Sequence, residues 1–168
     1  MIAEMILGYS ELEYRMFMIT SIVKPEDTEA YDLFFSIDGE AQRIKLFSIL
    51  CKKYVERLGY GESFSDLIGA IKHCKKIRNQ YAHKAWSHIN DRLALMNYKK
   101  NNSGIVSKIE YFHTSTEIIS DQYKYFTLTV LKATHLNETL KAHPAAAPII
   151  ELPNFPEKPR LFERTTEV

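Results

Sequence analysis

Apolar positions recur at steps of three and four along most of this chain, which is the signature of amphipathic helices. Over residues 2–23 the series is Ile2, Met5, Tyr9, Leu12, Met16, Ile19 and Val23, and Pro25 stops it. Residues 28–37 hold a denser run, Tyr31, Leu33, Phe34, Phe35 and Ile37, which suits a short buried helix or a strand. The helical neighbours favour the helix. Past Gly39 a second long helix is predicted over about 40–58, with Ile44, Phe47, Leu50, Cys51, Tyr54 and Leu58 on one side and Gly59 and Gly61 as its stop. Ser63, with Asp66 three residues on, reads as the cap of a third long helix reaching about Trp86.

The period then changes. Residues 92–98 and 105–112 are strand-like, and the Lys-Lys-Asn-Asn-Ser-Gly run between them is turn chemistry, so a hairpin is expected. Thr114 or Ser115 caps a last helix to about Ala142, striped by Ile119, Tyr123, Phe126, Val130, Ala133 and Leu140. Residues 144–168 contain Pro144, Pro148, Pro153, Pro156 and Pro159 and no helical period. They read as an extended or disordered tail whose Ile149, Ile150, Leu152, Phe155, Leu161 and Phe162 can dock on the domain or on a partner. The expected fold is mainly all-α: a four-to-five-helix up-down bundle over 1–143, a small β-hairpin insertion at about 90–113 before the last helix, and the tail.

Length and composition agree with one folded domain: 168 residues, 45% of them hydrophobic. The formal net charge of +1 argues against a globally basic nucleic-acid binder. Its distribution is uneven. Residues 1–70 carry twelve acidic and seven basic side chains, whereas residues 71–92 carry six basic ones against Asp91. A local basic patch attracts polyanions even on a near-neutral chain. Cys51 and Cys74 fall in apolar helical patterns outside any CxxC pair and read as buried free thiols in a reducing compartment. No basic segment precedes the first apolar run and no uncharged run approaches membrane-spanning length, so a cytoplasmic protein without a membrane partner is expected.

The chemistry concentrates in Ile77-Arg78-Asn79-Gln80-Tyr81-Ala82-His83. On a helical wheel, Leu67, Ala70, Cys74, Ile77, Tyr81 and Ala85 form one apolar face. Lys72, Lys75, Lys76, Asn79 and His83 form a cationic one, and Arg78 stands at the border, about 140° from His83. Histidine moves a proton near neutral pH, and arginine presents a permanently charged fork that fits phosphate oxygens. Asn79 can hold a phosphate oxygen or orient the histidine. Such a set can cleave RNA through its own 2′-OH without a metal. Each residue also has a purely structural reading. The lysines can be a solvated face, Arg78 can pair with Glu11 or Glu13, His83 can cap a helix end, and Trp86 can sit in the core rather than stack on a base. His73, His83 and His88 lack metal-ligand spacing, and no nucleotide-binding glycine loop is present, so no metal or cofactor is expected.

Arg78-Asn79-x-x-x-His83, followed by Lys84-Ala85-Trp86 and set at the end of a third long helix, resembles the Arg-polar-x-x-x-His signature of HEPN domains (higher eukaryotes and prokaryotes nucleotide-binding). The similarity in helix order covers about residues 1–142. It implies an all-α bundle that dimerises through the motif-bearing helices, so that two motifs form one composite cleft. It implies a metal-independent endoribonuclease of toxin–antitoxin or phage-defence systems, with Arg78 on the phosphate, His83 in proton transfer and Asn79 as the polar residue after the arginine. Lys72, Lys75, Lys76, Lys84 and Trp86 are the candidate RNA contacts, and RNA, a second copy and an antitoxin are the implied partners. The alternative within the family is a non-catalytic module that binds RNA, a nucleotide or a protein. Some members extend the motif to His-x-Tyr for regulation by a partner; Ala85 stands there in this chain. A plain helical scaffold that recruits a partner through its tail is a third reading.

Overall fold

The first helix is the hub. In the computed structural model, which describes residues 1–25, 30–89, 92–142 and 154–164, α1 (Ile2–Val23) packs against α2 (Ala30–Ser36), α3 (Glu40–Arg57), α4 (Gly61–His83) and α5 (Thr116–Ala142). Its buried residues are Met5, Tyr9, Leu12, Met16, Ile19 and Thr20, and Ile2 and Val23 are partly buried at its ends. The face expected from the spacing is therefore the face in the core. Gly8 shows how close α5 comes: a Cβ there would lie 3.2 Å from the Phe126 ring.

α3 stops in a Schellman turn. Gly59 N–H donates to the Glu56 carbonyl (3.0 Å) and Tyr60 N–H to the Val55 carbonyl (3.1 Å), with Gly59 at φ 85°, where only glycine is unstrained. This turn corrects the expected start of α4. Gly61 is the first helical residue rather than part of the preceding stop, and Tyr60 occupies the cap position with no side-chain cap bond. Ser63 and Asp66 lie inside the helix. At α5 the expected cap is present: Ser115 Oγ accepts from Ile118 N–H at 3.2 Å.

The third long helix also ends earlier than its pattern suggests, at His83. Lys84 turns to extended backbone, and β1 (Ala85–Ile89) pairs antiparallel with β2 (Arg92–Lys100). Ala85 is exposed there instead of continuing the buried helical face. β-sheet pairing outweighs the local helical propensity of Lys-Ala. β2 then pairs with β3 (Val106–His113), as the hairpin pattern requires. Asn101 organises its turn by accepting from Ser103 and Ile105 N–H, each at 3.0 Å, and Gly104 takes a positive φ of 77°. The fold is thus mainly helical with a small antiparallel sheet of order β1-β2-β3-β4, in which β4 (Glu163–Arg164) comes from the C-terminal segment.

That segment lies across α4 and α5. Phe155 meets Tyr125, with ring centroids 5.6 Å apart. Phe162 is buried edge-on against Tyr81 at 5.1 Å. Leu161 is partly buried against the core. The apolar tail residues Ile149, Ile150 and Leu152 fall outside the described residues. Cys51 and Cys74 are buried free thiols, each pushed up to about 12 by burial.

Candidate functional site

Arg78 does not point freely to solvent. It reaches into the junction of α1, α3 and α4, where its Nη2 forms an ion pair with Glu40, the first residue of α3. Its Nη1 donates to Asn79 Oδ1 at 2.8 Å, and its guanidinium carbon stands 5.0 Å from the centre of the Tyr9 ring. Of the Arg78 side chain 21% is exposed, and of Glu40 18%. A second pair stands beside it, Arg43 Nη1 to Glu13 Oε1 at 2.5 Å. Tyr9 and Glu13 are one helical turn apart on α1, and Glu40 and Arg43 lie within one turn on α3, so both helices aim two groups at one place.

The junction is desolvated enough to change its chemistry. Burial raises the Glu13 carboxyl above its ordinary range, and the facing Arg43 only partly offsets this. Burial, aided by Glu40 and Glu13, raises the Tyr9 phenol. The knot contains two cations and two anions and is locally neutral. Arg78 therefore pairs with neither Glu11, which binds Arg15 at 2.7 Å, nor Glu13, which binds Arg43; Glu40 is the partner the spacing did not suggest.

His83 is the opposite case. It is the last residue of α4 and is exposed. Five residues of helix separate it from Arg78, about 140° of rotation and about 7.5 Å of rise. Lys72 and Lys76 are exposed on the His83 side of the helix, and Lys75 and Asn79 are half-buried. Asn79 is committed through its side-chain oxygen to Arg78, so that oxygen does not orient His83.

Beyond His83 the chain enters the sheet. Lys84 Nζ lies 3.6 Å from the centre of the Phe112 ring, and burial lowers its ammonium against the opposing pull of Glu110. Trp86 stacks on Tyr81, with centroids 5.7 Å apart and 19° between planes, yet stays 37% exposed. Tyr81 is fixed in turn: its hydroxyl donates to Gln122 Oε1 at 2.6 Å, and Gln122 Nε2 donates to the Arg160 carbonyl at 2.7 Å. Further out on the sheet, Glu110 is buried beneath Lys99 (3.0 Å) and Lys108 (4.0 Å).

Sequence spacing thus located Arg78, Asn79 and His83 on one helix end, but it missed Tyr9, Glu40, Lys99, Lys108 and Glu110. Only the cross-strand register of the hairpin carried a signal for the last three. Among the described residues, no group of His, Cys, Asp or Glu side chains is arranged to hold a metal ion, and no helix is long and apolar enough to cross a membrane. Comparison with known protein families, characterised proteins and solved structures finds no match to this chain.

Proposed function

We propose that this chain is a metal-independent endoribonuclease of the HEPN type that works as a homodimer through α4. The observation that carries the reading is the Arg78-Asn79-x-x-x-His83 run over the last turns of a bundle helix, with His83 exposed beside Lys72 and Lys76. In this reading His83 takes the proton from a ribose 2′-OH. The 2′ oxygen attacks the adjacent phosphorus, the bond from phosphorus to the 5′ oxygen breaks, and the products are a 2′,3′-cyclic phosphate and a 5′-hydroxyl. Arg78 neutralises charge on the phosphoryl oxygens. A second copy brings a second His83, which protonates the leaving 5′ oxygen, and brings an Arg78 to the side of the cleft that one chain leaves empty. A toxin–antitoxin or phage-defence setting follows from the same family resemblance.

One observation favours a second reading, a non-catalytic module that binds RNA, a nucleotide or a protein. Glu40 already occupies the Arg78 guanidinium, so a phosphate must share or displace it. A single assay separates the two. Labelled RNA is incubated with the wild-type chain, His83→Ala and Arg78→Ala, with and without EDTA. The nuclease reading requires EDTA-resistant cleavage, lost in both variants and leaving cyclic phosphate ends. RNA binding without cleavage by any form selects the module instead. A strictly monomeric active enzyme in sedimentation would remove the composite cleft.

A further inference from the structure

The lysines of the hairpin belong to a built surface rather than a scattered one. Side chains alternate across a strand, so Phe112, Glu110 and Lys108 of β3 share one face. The register places Trp86 and Leu95 in the row of Phe112, Asn97 in the row of Glu110, and Lys99 in the row of Lys108. At its base this face meets the core through Leu95 and Phe112. The buried Glu110 carboxylate holds Lys99 and Lys108, and Lys84 Nζ lies over the neighbouring Phe112 ring on the same face. The side chains of Lys99 and Lys108 nevertheless remain 55% and 53% exposed. The same face also presents a one-third-exposed tryptophan.

This face begins where α4 ends. Lys72, Lys76 and His83 fall within about 40° of one another on α4 and span about 16 Å of its axis. Lys84 follows His83 directly and caps Phe112. From Phe112 to Lys108 the strand adds about 13 Å. Two cationic tracks therefore meet at the exposed imidazole.

We infer that the Trp86–Lys84–Lys99–Lys108 face of the sheet binds the single-stranded RNA flanking the cut, with its phosphates on the lysines and one unstacked base on Trp86. Charge complementarity selects a polyanion. The aromatic selects a single strand, because a base inside a duplex has no free face to offer. Glu110 acts as a positioning residue that spaces the ammonium groups. The inference rests on the nuclease reading for the role of His83 but not for its own binding contacts.

The test uses the full chain and a labelled 2′-O-methyl RNA strand, which lacks the attacking hydroxyl, alone and annealed to its complement. Affinity is measured across a salt series for wild type, Lys99→Gln/Lys108→Gln and Trp86→Leu. The double lysine variant is expected to bind the single strand about tenfold more weakly and to flatten the salt slope by about 1.4, two phosphates at about 0.7 each. Trp86→Leu is expected to lose about tenfold in affinity with the slope unchanged, and the duplex to bind more weakly than the strand. An unchanged slope in the double variant, equal binding of duplex and strand, or no binding by wild type overturns the inference. So does a shift of the monomer–dimer equilibrium by the lysine changes with RNA affinity intact, which would make the face a protein interface. Loss of binding in the variants of a chain that cleaves nothing keeps the inference and removes the nuclease. Cleavage of ordinary RNA with intact binding by the double variant does the reverse.

Discussion

The two ends of the six-residue motif live in different physical surroundings. Arg78 is locked into a neutral knot with Glu40, Asn79 and Tyr9 where three helices meet. His83, about one and a half turns on, stands exposed at the helix end, between a lysine stripe and a sheet. The first end is held by the bundle. The second is held indirectly, through Tyr81, which Trp86, Gln122 and Phe162 box in from three elements. An arginine paired inside the bundle and a histidine exposed at the helix end are expected to differ in how much stability their loss costs.

The largest effect tests whether the open end depends on the C-terminal segment. Phe162 is buried against Tyr81, and truncation to alanine removes that packing and leaves a cavity beside the motif. Phe162→Ala is expected to cost about 3 kcal/mol in urea unfolding. A cost below about 1 kcal/mol would mean that the segment merely rests on the bundle and that the His83 end is self-supporting.

Next comes the direct contrast. Arg78→Ala strands the Glu40 carboxylate in a site less than one-fifth exposed and is expected to cost about 2 kcal/mol, between the values for exposed and buried pairs. His83→Ala is expected to stay within about 0.5 kcal/mol, as surface changes do. A double-mutant cycle sharpens this: Arg78 and Glu40 should couple by about 1 kcal/mol, whereas Arg78 and His83 should be additive. Equal costs for the two single variants, or coupling between Arg78 and His83, would erase the distinction between the ends. The contrast also governs how activity data are read, since loss of cleavage in Arg78→Ala counts only with folding shown intact.

The wheel of α4 explains how much of this was legible beforehand. Arg78 sat at the border of the apolar and cationic faces, and that border position is what carries it into the junction. The distance between Arg78 and His83 around the helix was equally plain. Glu40 was not, because a residue 38 positions away reaches Arg78 only through the packing of α3 on α4. The helices were readable from their period, down to the buried stripe of α1. The exit from α4 was not, because Lys84-Ala85-Trp86 suits a helix locally and becomes strand only by pairing with β2. Phe155, Leu161 and Phe162 read as residues that dock on the domain or on a partner, and they lie on the domain; β4 was not legible, since two residues of edge strand leave no periodic trace.

The smallest effect separates the regions by their response to acid. His73 Nε2 donates to the Pro159 carbonyl at 2.9 Å and faces the Tyr125 ring, with Lys76 and Lys158 nearby. Burial, reinforced by Lys158 and Lys76, lowers its imidazole below the ordinary 6.5 despite that bond. The unfolded chain then binds the proton more readily than the folded one, so stability at the C-terminal segment falls as pH drops through 6.5 toward the folded value. Glu13 in the Arg78 knot has the opposite sign. Its folded carboxyl is raised above 4.5, so the folded chain binds the proton more readily and acid relieves the cost of burying that charge. Unfolding free energy measured from pH 7.5 to pH 5.5 should therefore decline in wild type and decline less in His73→Gln. With the series carried down to pH 4.5, Glu13→Gln should lose the stabilisation that the raised Glu13 carboxyl contributes as acid protonates it in the folded chain. Identical pH profiles for wild type and His73→Gln would mean that protonation of the imidazole costs the segment nothing, and that the two regions differ in charge geometry but not in their coupling to pH.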